Sequence, residues 1–253
     1  MLEALEEAGF AESALVLFLS DNGMSFPFAK ANCYLNSTRT PWIVRWPGRV
    51  NPGAVNRDDL VTAIDVMPTF LEAASCPPTG GMDGRSFLNL LWGKSRGDRE
   101  EIFTEFHETS ARRRFPMRAV MTRRFGYLVN FWADGVTSMT MDSTGGMTFR
   151  AMREAARTDS EIARRVELFS RRVREEFFDF SADPDGLHNL IGDPRYAGEI
   201  RRLRSKLEDH LARIDDPALE AFRKRDDPEA VAAFMERQRE RSKALNFQAN
   251  PKI

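Results

Sequence analysis

Cysteine and histidine are scarce in this chain, and charge of either sign is not in excess. The 253 residues include two cysteines and three histidines, so neither a disulfide framework nor a multi-cysteine zinc site is expected. The formal net charge is −1, which gives no overall attraction to nucleic acid or to an anionic membrane. The sequence shows no membrane-spanning apolar run, no internal repeat and no leader-peptide pattern, and it leaves the localisation open.

The chain does have enough apolar residues for a sizeable core. Hydrophobic residues make up 42% and charged residues 30% of the sequence, which is typical of globular domains. The first ten residues, MLEALEEAGF, read as a helix inside a domain rather than as a natural amino terminus. A helix followed by a strand is the rhythm of α/β folds.

An abrupt change from apolar to polar residues marks the first candidate site. The run from Leu15 to Leu19 stops at Ser20, Asp21, Asn22 and Gly23. A short apolar run bounded by turn residues suits a strand that is buried on both faces of a parallel sheet, and open α/β sheets bind ligands beyond the carboxyl ends of their strands. A carboxylate and an amide carbonyl are hard oxygen donors that suit calcium or magnesium better than zinc. An ordinary Asx turn explains the same residues without a metal.

Further motifs follow this turn in a fixed order. They are SDNGMSFPFAK, TPWIVRWPGRV, LVTAIDVMPTFLEAA, DGRSFLNLL, FPMRAV and FFDFSADPDGLHNLIGDPRY. Together these motifs resemble the sulfatase family of the alkaline phosphatase superfamily, and most of all its heparan N-sulfatase (sulfamidase-like) branch. The resemblance covers about residues 1–217. It does not include the amino-terminal half of the family, which carries paired metal-binding aspartates and the nucleophile motif.

The resemblance implies an α/β fold with two parts. The first is the carboxyl-terminal part of an alkaline-phosphatase-like sandwich, in which helices flank a mainly parallel sheet, and we expect it over residues 1–98. The second is a small α+β subdomain with an antiparallel sheet, expected over 99–214, and a helical tail follows over 215–253. The polar stretch 93–98 marks the boundary between the first two.

Periodicity predicts the main elements of both parts. Short apolar or alternating runs predict strands over 41–46, 102–106, 117–122, 125–131 and 176–180. Helical spacing predicts three apolar faces, formed by Ile64, Met67, Phe70 and Leu71, by Ile162, Val166, Phe169 and Val173, and by Ile200, Leu203, Leu207, Leu211 and Ile214. Asp227-Pro228-Glu229 predicts the start of a last helix.

The family resemblance also implies roles for the first site. Sulfatases attack sulfur with a formylglycine, made from a cysteine or serine, beside a calcium ion. By resemblance, Asp21 and Asn22 are calcium ligands, with magnesium as the alternative metal, and Lys30 is a catalytic cation that binds the sulfate oxygens. A cation there would offset the negative charge on the transferred sulfuryl group. Without the resemblance, Lys30 would be interpreted as a solvated loop residue.

A second group of residues is implied to bind the substrate. His107 and Glu108 follow a predicted strand and resemble a pair in sulfamidase-like sequences, and Arg118 comes from an arginine-rich run over 112–124. Arginine matches sulfate or carboxylate oxygens in a two-pronged geometry, whereas a solvated surface explains such a run equally well. The implied partners are a sulfated saccharide or another small sulfate ester and the amino-terminal half of the enzyme. Homo-oligomers are compatible with the sequence, and no nucleic acid or membrane span is expected.

Neither cysteine fits the nucleophile motif, which is Cys or Ser, any residue, Pro, any residue, Arg. Cys76 begins Cys-Pro-Pro-Thr-Gly and lacks the arginine, and Cys33 has no match. The formylglycine is therefore expected outside this chain, which alone should be inactive. Two alternatives remain, namely a phosphatase or phosphodiesterase of the same superfamily and an inactive polyanion-binding module. The former enzymes use two metals with several Asp and His ligands, and no histidine lies near Asp21.

Overall fold

The computed structural model describes residues 1–77, 79–94 and 99–249, with side chains up to residue 243. The chain divides into two compact units. Unit 1 comprises Met1–Asp21 and Thr40–Ile102, and unit 2 comprises Asn22–Arg39 and the chain from Phe103 onward. Residues 95–98, on which the predicted boundary falls, lie outside the described part, and the predicted division into domains stays a prediction.

Strands and helices are interspersed along the described chain. The strands are β1 Val16–Leu19, β2 Trp42–Arg45, β3 Glu101–Glu108, β4 Arg114–Thr122, β5 Phe125–Asn130 and β6 Glu175–Asp179. The helices are α1 Leu2–Glu7, α2 Leu35–Thr38, α3 Val66–Ala73, α4 Leu88–Leu91, α5 Met147–Ala155, α6 Ser160–Arg171, α7 Ala197–Arg213, α8 Leu219–Arg223 and α9 Pro228–Ala249. None of these helices, within the residues described, is both long and apolar enough to cross a membrane.

The sheet of unit 1 has two strands in the described residues. β1 and β2 pair in antiparallel orientation, with Phe18 opposite Ile43. Both side chains are more than half exposed, at 58% and 59%. The prediction that β1 is buried on both faces and paired in parallel is therefore not met here. An apolar run indicates a strand, but it carries no information on the direction or number of its neighbours.

Asp65 ties together the two helical motifs of unit 1. Its side chain is 1% exposed and accepts hydrogen bonds from the backbone N–H groups of Thr62 and Arg85, at 2.8 and 2.7 Å. Arg99 Nη2 lies 2.9 Å from Asp65 Oδ1 and supplies the opposite charge. Thr69 Oγ1 donates to the Asp65 carbonyl at 2.6 Å. The buried Asp65 carboxylate thus connects the segment IDVMPT, residues 64–69, to the loop DGRS, residues 83–86.

The helix predicted over 65–74 forms, but its apolar face is not buried. A short 3₁₀ turn, Ala63–Asp65, precedes α3. Ile64, Met67 and Phe70 are 59%, 60% and 38% exposed, while Thr69 is fully buried. The helix that the amphipathic pattern predicts is confirmed, whereas three of the four residues on its apolar face are exposed in the described chain.

Unit 2 is built on a sheet with the order β3-β4-β5-β6. β4 pairs antiparallel with β5, and β5 with β6. Both faces of β4 and β5 are buried almost throughout, because helices cover one face and helices plus the segment 22–39 cover the other. The predicted antiparallel sheet and its four predicted strands are confirmed.

The two faces of this sheet have different coverings. On one face, Tyr127 contacts Phe222 of α8, and Phe131, just after β5, contacts Phe234 of α9. We call this the α7–α9 face. On the other face, Tyr34 from the segment 22–39 contacts Phe178 of β6. We call this the Tyr34 face.

Several helix boundaries differ from the prediction. α5, Met147–Ala155, is not among the helices that periodicity predicts. Val173 and Ile214 lie just outside α6 and α7 and are 43% and 39% exposed. The last helix begins as predicted, since the Asp227 side chain accepts hydrogen bonds from the N–H groups of Glu229 and Ala230.

Candidate functional site

The turn after β1 holds the two predicted metal ligands. Asp21 is exposed, and Asn22 and Gly23 are half-buried, in a bend that follows Leu19 directly. A Cβ at Gly23 would lie 2.2 Å from the carbonyl oxygens of both Ala29 and Asn36. Only glycine fits this close approach, so a side chain at position 23 would displace the loop.

The donor set of this turn fits part of a calcium shell. Calcium takes about six to eight oxygen ligands, and Asp21 with Asn22 offers a carboxylate and an amide carbonyl. In the described part of the chain, no three His, Cys, Asp or Glu side chains are grouped as a metal site. Any calcium held at this turn would therefore need ligands besides Asp21 and Asn22, such as backbone carbonyls, water or further carboxylates.

Lys30 lies in a tightly folded loop with its amine partly in solvent. Asn32 Nδ2 donates to the Lys30 carbonyl at 2.7 Å, and Asn32 Oδ1 accepts from the Tyr34 N–H at 2.9 Å. The Lys30 amine lies 3.7 Å from Asp142 Oδ2, with the two side chains 36% and 61% exposed. An exposed pair at this distance is weak, so an anionic ligand can compete for the amine.

His107 and Glu108 do not form a pair, because both belong to β3 and consecutive strand residues point to opposite faces. His107 Nε2 lies 3.4 Å from Glu105 Oε1. This hydrogen bond, together with the positive charges of Arg118 and two histidines, lowers the pKa of the Glu105 carboxyl against the effect of burial. Glu108 instead lies 3.0 Å from Arg114 Nε. A substrate role for either residue stays a prediction.

Arg118 has a structural partner rather than an open position. It is 2% exposed, and its Nε and Nη2 lie 2.7 and 3.1 Å from the two carboxylate oxygens of Asp216. Glu105 lies 3.5 Å from the same guanidinium. The pair is buried on the α7–α9 face. Arg118 is opposite Val129 in the sheet, and Val129 lies two residues after Tyr127 and so on the same face. The predicted contact between Arg118 and a substrate has no support in this geometry.

The arginine-rich run is dispersed by the fold. Four of its members each have a partner of their own: Arg113 with Thr140, Arg114 with Glu108, Arg118 with Asp216, and Arg124 with Asp179. Three of these partners are carboxylates, and charges that are neutralised individually add little to a basic surface. The structure therefore offers little support for a polyanion-binding module.

The two cysteines differ sharply in environment. Cys33 is fully buried, and burial raises the pKa of its thiol to about 12. Cys76 is exposed. A buried thiol with such a high pKa is a poor nucleophile at neutral pH, which agrees with the rejection of Cys33 from its sequence context.

A buried polar cluster beside the Lys30 loop escaped the sequence analysis. The Tyr34 hydroxyl lies 2.8 Å from both carboxylate oxygens of Glu176, and Asn130 Nδ2 donates to Glu176 Oε1 at 2.9 Å. Tyr34 and Glu176 are 142 positions apart. No local pattern connects residues at that distance, although an adjacent pair of glutamates entering an apolar strand is a visible irregularity.

Comparison with known proteins accounts for these motifs. Residues 24–144 match the family model described as N-sulphoglucosamine sulphohydrolase, C-terminal. The chain is 29% identical to an ulvan-active sulfatase of Formosa agariphila, covering 86% of this chain and 36% of that protein. It is 28% identical to the human N-sulphoglucosamine sulphohydrolase, covering 86% of this chain and 45% of that protein.

The chain is homologous to the carboxyl-terminal part of sulfatases. It spans less than half the length of these curated relatives. A solved 2-O GAG sulfatase shares the fold with a TM-score of 0.63 at 20% identity, over 88% of this chain and 40% of that one. The fold is therefore the alkaline-phosphatase-like α/β fold of solved sulfatases, as predicted.

The same fold also carries another hydrolase activity. A phosphonate monoester hydrolase of Silicibacter pomeroyi aligns with a TM-score of 0.57 at 20% identity, over 84% of this sulfatase homologue and 37% of that chain. The fold alone thus does not decide between sulfur and phosphorus as the reacting atom.

Proposed function

We propose that this chain forms the carboxyl-terminal part of a sulfatase that hydrolyses sulfate esters or N-sulfates of saccharides. The observation that carries the proposal is the family match over residues 24–144, which begins directly after the Asp21-Asn22-Gly23 turn at the end of β1. The match is to a family of N-sulphoglucosamine sulphohydrolases, and so an N-sulfated or O-sulfated sugar is the proposed substrate class.

Three residues of the chain act on the sulfate group in this proposal. Asp21 and Asn22 would hold calcium, or magnesium, through hard oxygen donors. A bound calcium would supply positive charge to the sulfate oxygens. Lys30 would exchange its contact with Asp142 for a sulfate oxygen, because an exposed ion pair at 3.7 Å costs little to break.

The nucleophile is proposed to be a formylglycine in the amino-terminal part of sulfatases, which this chain does not span. Unit 1 supports the need for that part. The cross-strand pair Phe18 and Ile43 is 58% and 59% exposed on a sheet with two described strands, and two-stranded sheets are marginally stable on their own. Additional strands or helices from the amino-terminal part would bury this apolar pair.

Glu108 is the proposed saccharide contact from unit 2. Its side chain points to the face of β3 opposite that of His107, lies beside Arg114 and is 33% exposed. His107 and Arg118 are left out of the proposal, because both associate with Glu105 on the α7–α9 face.

The test is hydrolysis of N-sulfoglucosamine and of an aryl sulfate by the chain alone and by the chain joined to an upstream sulfatase half that bears the nucleophile motif. We expect activity from the joined protein only, and Asp21→Ala should abolish it while a Glu3→Ala control, on the exposed helix α1, should not. Full activity of the chain alone, or activity of the joined protein that survives Asp21→Ala, would contradict the proposal. Preferential hydrolysis of a phosphonate or phosphate ester would favour the phosphatase alternative.

A further inference from the structure

The segment 22–39, which carries Asn22 and Lys30, is folded back on itself. The Gly23 N–H donates to the Ser37 carbonyl at 3.0 Å, which joins the beginning of the segment to its end. Phe28 and Ala31, on either side of Lys30, have φ angles of 64° and 58°. Non-glycine residues adopt this left-handed region only when their surroundings require it. The surrounding structure therefore holds the backbone on either side of Lys30 in a conformation that these residues do not favour by themselves.

Two contacts within unit 2 hold the loop on either side of Lys30. Before Lys30, the Phe28 ring packs 5.0 Å from the ring of Phe169 on α6. The Arg165 guanidinium lies 3.9 Å from the centre of the Phe28 ring. After Lys30, the Tyr34 hydroxyl is bound by both oxygens of Glu176 at 2.8 Å. Lys30 is thus bracketed by one aromatic anchor and one hydrogen-bonded anchor.

The hydrogen-bonded anchor is fully buried and has a cation beside it. Arg172 is 4% exposed, lies 4.6 Å from the Tyr34 ring and 5.3 Å from the Phe28 ring, and forms no side-chain hydrogen bond with any described residue. Burial raises the pKa of the Glu176 carboxyl, while the Arg172 charge and the hydrogen bonds from Tyr34 and Asn130 oppose that rise. The cation therefore favours an ionised Glu176, which binds the tyrosine hydroxyl more strongly than a neutral acid would.

We propose that Tyr34 and Glu176 are positioning residues that fix the loop conformation in which Lys30 and Asn22 meet a sulfate group. The proposal rests on the function proposed above for Lys30 and Asn22. Neither Tyr34 nor Glu176 is assigned a contact with substrate. Their effect passes through the backbone, because Asn32 links the Tyr34 N–H to the Lys30 carbonyl.

The sheet itself provides a matched control. Tyr127 is also fully buried, and its hydroxyl donates to Glu175, the residue next to Glu176. That pair lies on the α7–α9 face, where Arg204 also binds Glu175. Tyr34→Phe and Tyr127→Phe each remove one buried hydroxyl that donates to a strand β6 glutamate, but only the first is connected to the Lys30 loop.

The first experiment is hydrogen exchange of the chain itself, followed by mass spectrometry of peptides that cover 24–39. We expect Tyr34→Phe to accelerate exchange in these peptides about ten- to a hundredfold, which corresponds to one lost hydrogen bond to a charged group. Tyr127→Phe should leave them unchanged, and Glu176→Gln, which keeps an acceptor, should fall between. Equal effects of the two tyrosine variants, or none from Tyr34→Phe, would overturn the anchor.

The second experiment measures kcat and KM in the protein joined to an upstream half. We expect Tyr34→Phe to lower kcat about tenfold with little change in KM, because substrate still binds while the mean position of Lys30 shifts. Tyr127→Phe should keep kcat. An unchanged kcat in Tyr34→Phe despite faster exchange of the loop would overturn the positioning role. Absence of activity in every form would count against the proposed function, and the exchange result would then show separately whether the anchor exists.

Discussion

The hydroxyl of Tyr34 lies 2.8 Å from both carboxylate oxygens of Glu176, and this contact joins the loop that carries Lys30 to the last strand of the unit 2 sheet. Both residues are buried. A carboxylate that accepts from a tyrosine and an asparagine is satisfied although it has no directly bonded cation. The loop and the sheet should therefore unfold together.

The two cysteines should react at very different rates with a thiol reagent such as a maleimide. Cys76 is exposed, whereas Cys33 is buried and its thiol pKa is raised to about 12. We expect one fast equivalent from native protein, absent in Cys76→Ser, and a second only in denaturant. Rapid labelling of native Cys76→Ser would show that the segment around Cys33 opens readily.

The Arg118–Asp216 pair should contribute to stability and not to substrate selectivity. Asp216→Ala leaves the buried guanidinium with the Glu105 carboxylate, at 3.5 Å, and the Met117 carbonyl, and removal of one partner of a buried pair costs about 3–5 kcal/mol. Urea unfolding should show that the double variant Arg118→Leu/Asp216→Ala is less destabilised than the sum of the single variants. Simple additivity would mean that the two side chains do not interact.

Asp179 should make stability depend on pH in the acid range. Hydrogen bonds from Arg124, followed by those from Ser181, hold the pKa of this carboxyl below its usual range. A lowered folded-state pKa gives stability that is complete above the unfolded pKa of about 4 and is lost as the pH falls toward the folded value. Wild type should therefore exceed Asp179→Asn in stability at pH 7, and the difference should shrink below about pH 4.

Urea midpoints at several pH values would measure this difference. The exposed Asp185, in the loop after β6, provides the control, because Asp185→Asn should give a curve parallel to wild type. A gap between wild type and Asp179→Asn that stays constant down to pH 3 would contradict the assignment.

Glu108 should affect the choice of substrate in the protein joined to an upstream half. Loss of one hydrogen bond to a charged group costs about 1.5–3 kcal/mol, so Glu108→Ala should lower kcat/KM for a sulfated saccharide about ten- to a hundredfold more than for an aryl sulfate. Glu105→Ala, on the opposite face of β3, is the control and should affect both substrates alike. If Glu108→Ala lowered kcat/KM equally for both substrates, the role of Glu108 would be structural, through its ion pair with Arg114.

Much of unit 2 could be predicted from local pattern. β4, β5 and α7 are regular and buried, so period and burial coincide, and four of the five apolar residues assigned to α7, Ile200 to Leu211, are in the core. Unit 1 was harder, because strand direction and the exposure of Phe18 depend on neighbours that a single run does not specify. The Tyr34–Glu176 contact could not be predicted either, since its partners are distant in sequence and neither belongs to a motif.

The two adjacent glutamates also have a consequence for how β6 finds its place in the sheet. The strand reads Glu175-Glu176-Phe177-Phe178-Asp179, and Phe177 and Phe178 are both buried, one on each face. A slip by one residue would keep phenylalanine at one of these two buried positions and bring Glu176 or Asp179 to the other, so the two phenylalanines resist a slip only in part. Tyr127 and Tyr34, which bind Glu175 and Glu176 from opposite faces, add a second constraint on the register. An Ala insertion between these glutamates should therefore scramble the pairing of β6, whereas an exchange of Phe177 for Leu should leave its alignment intact.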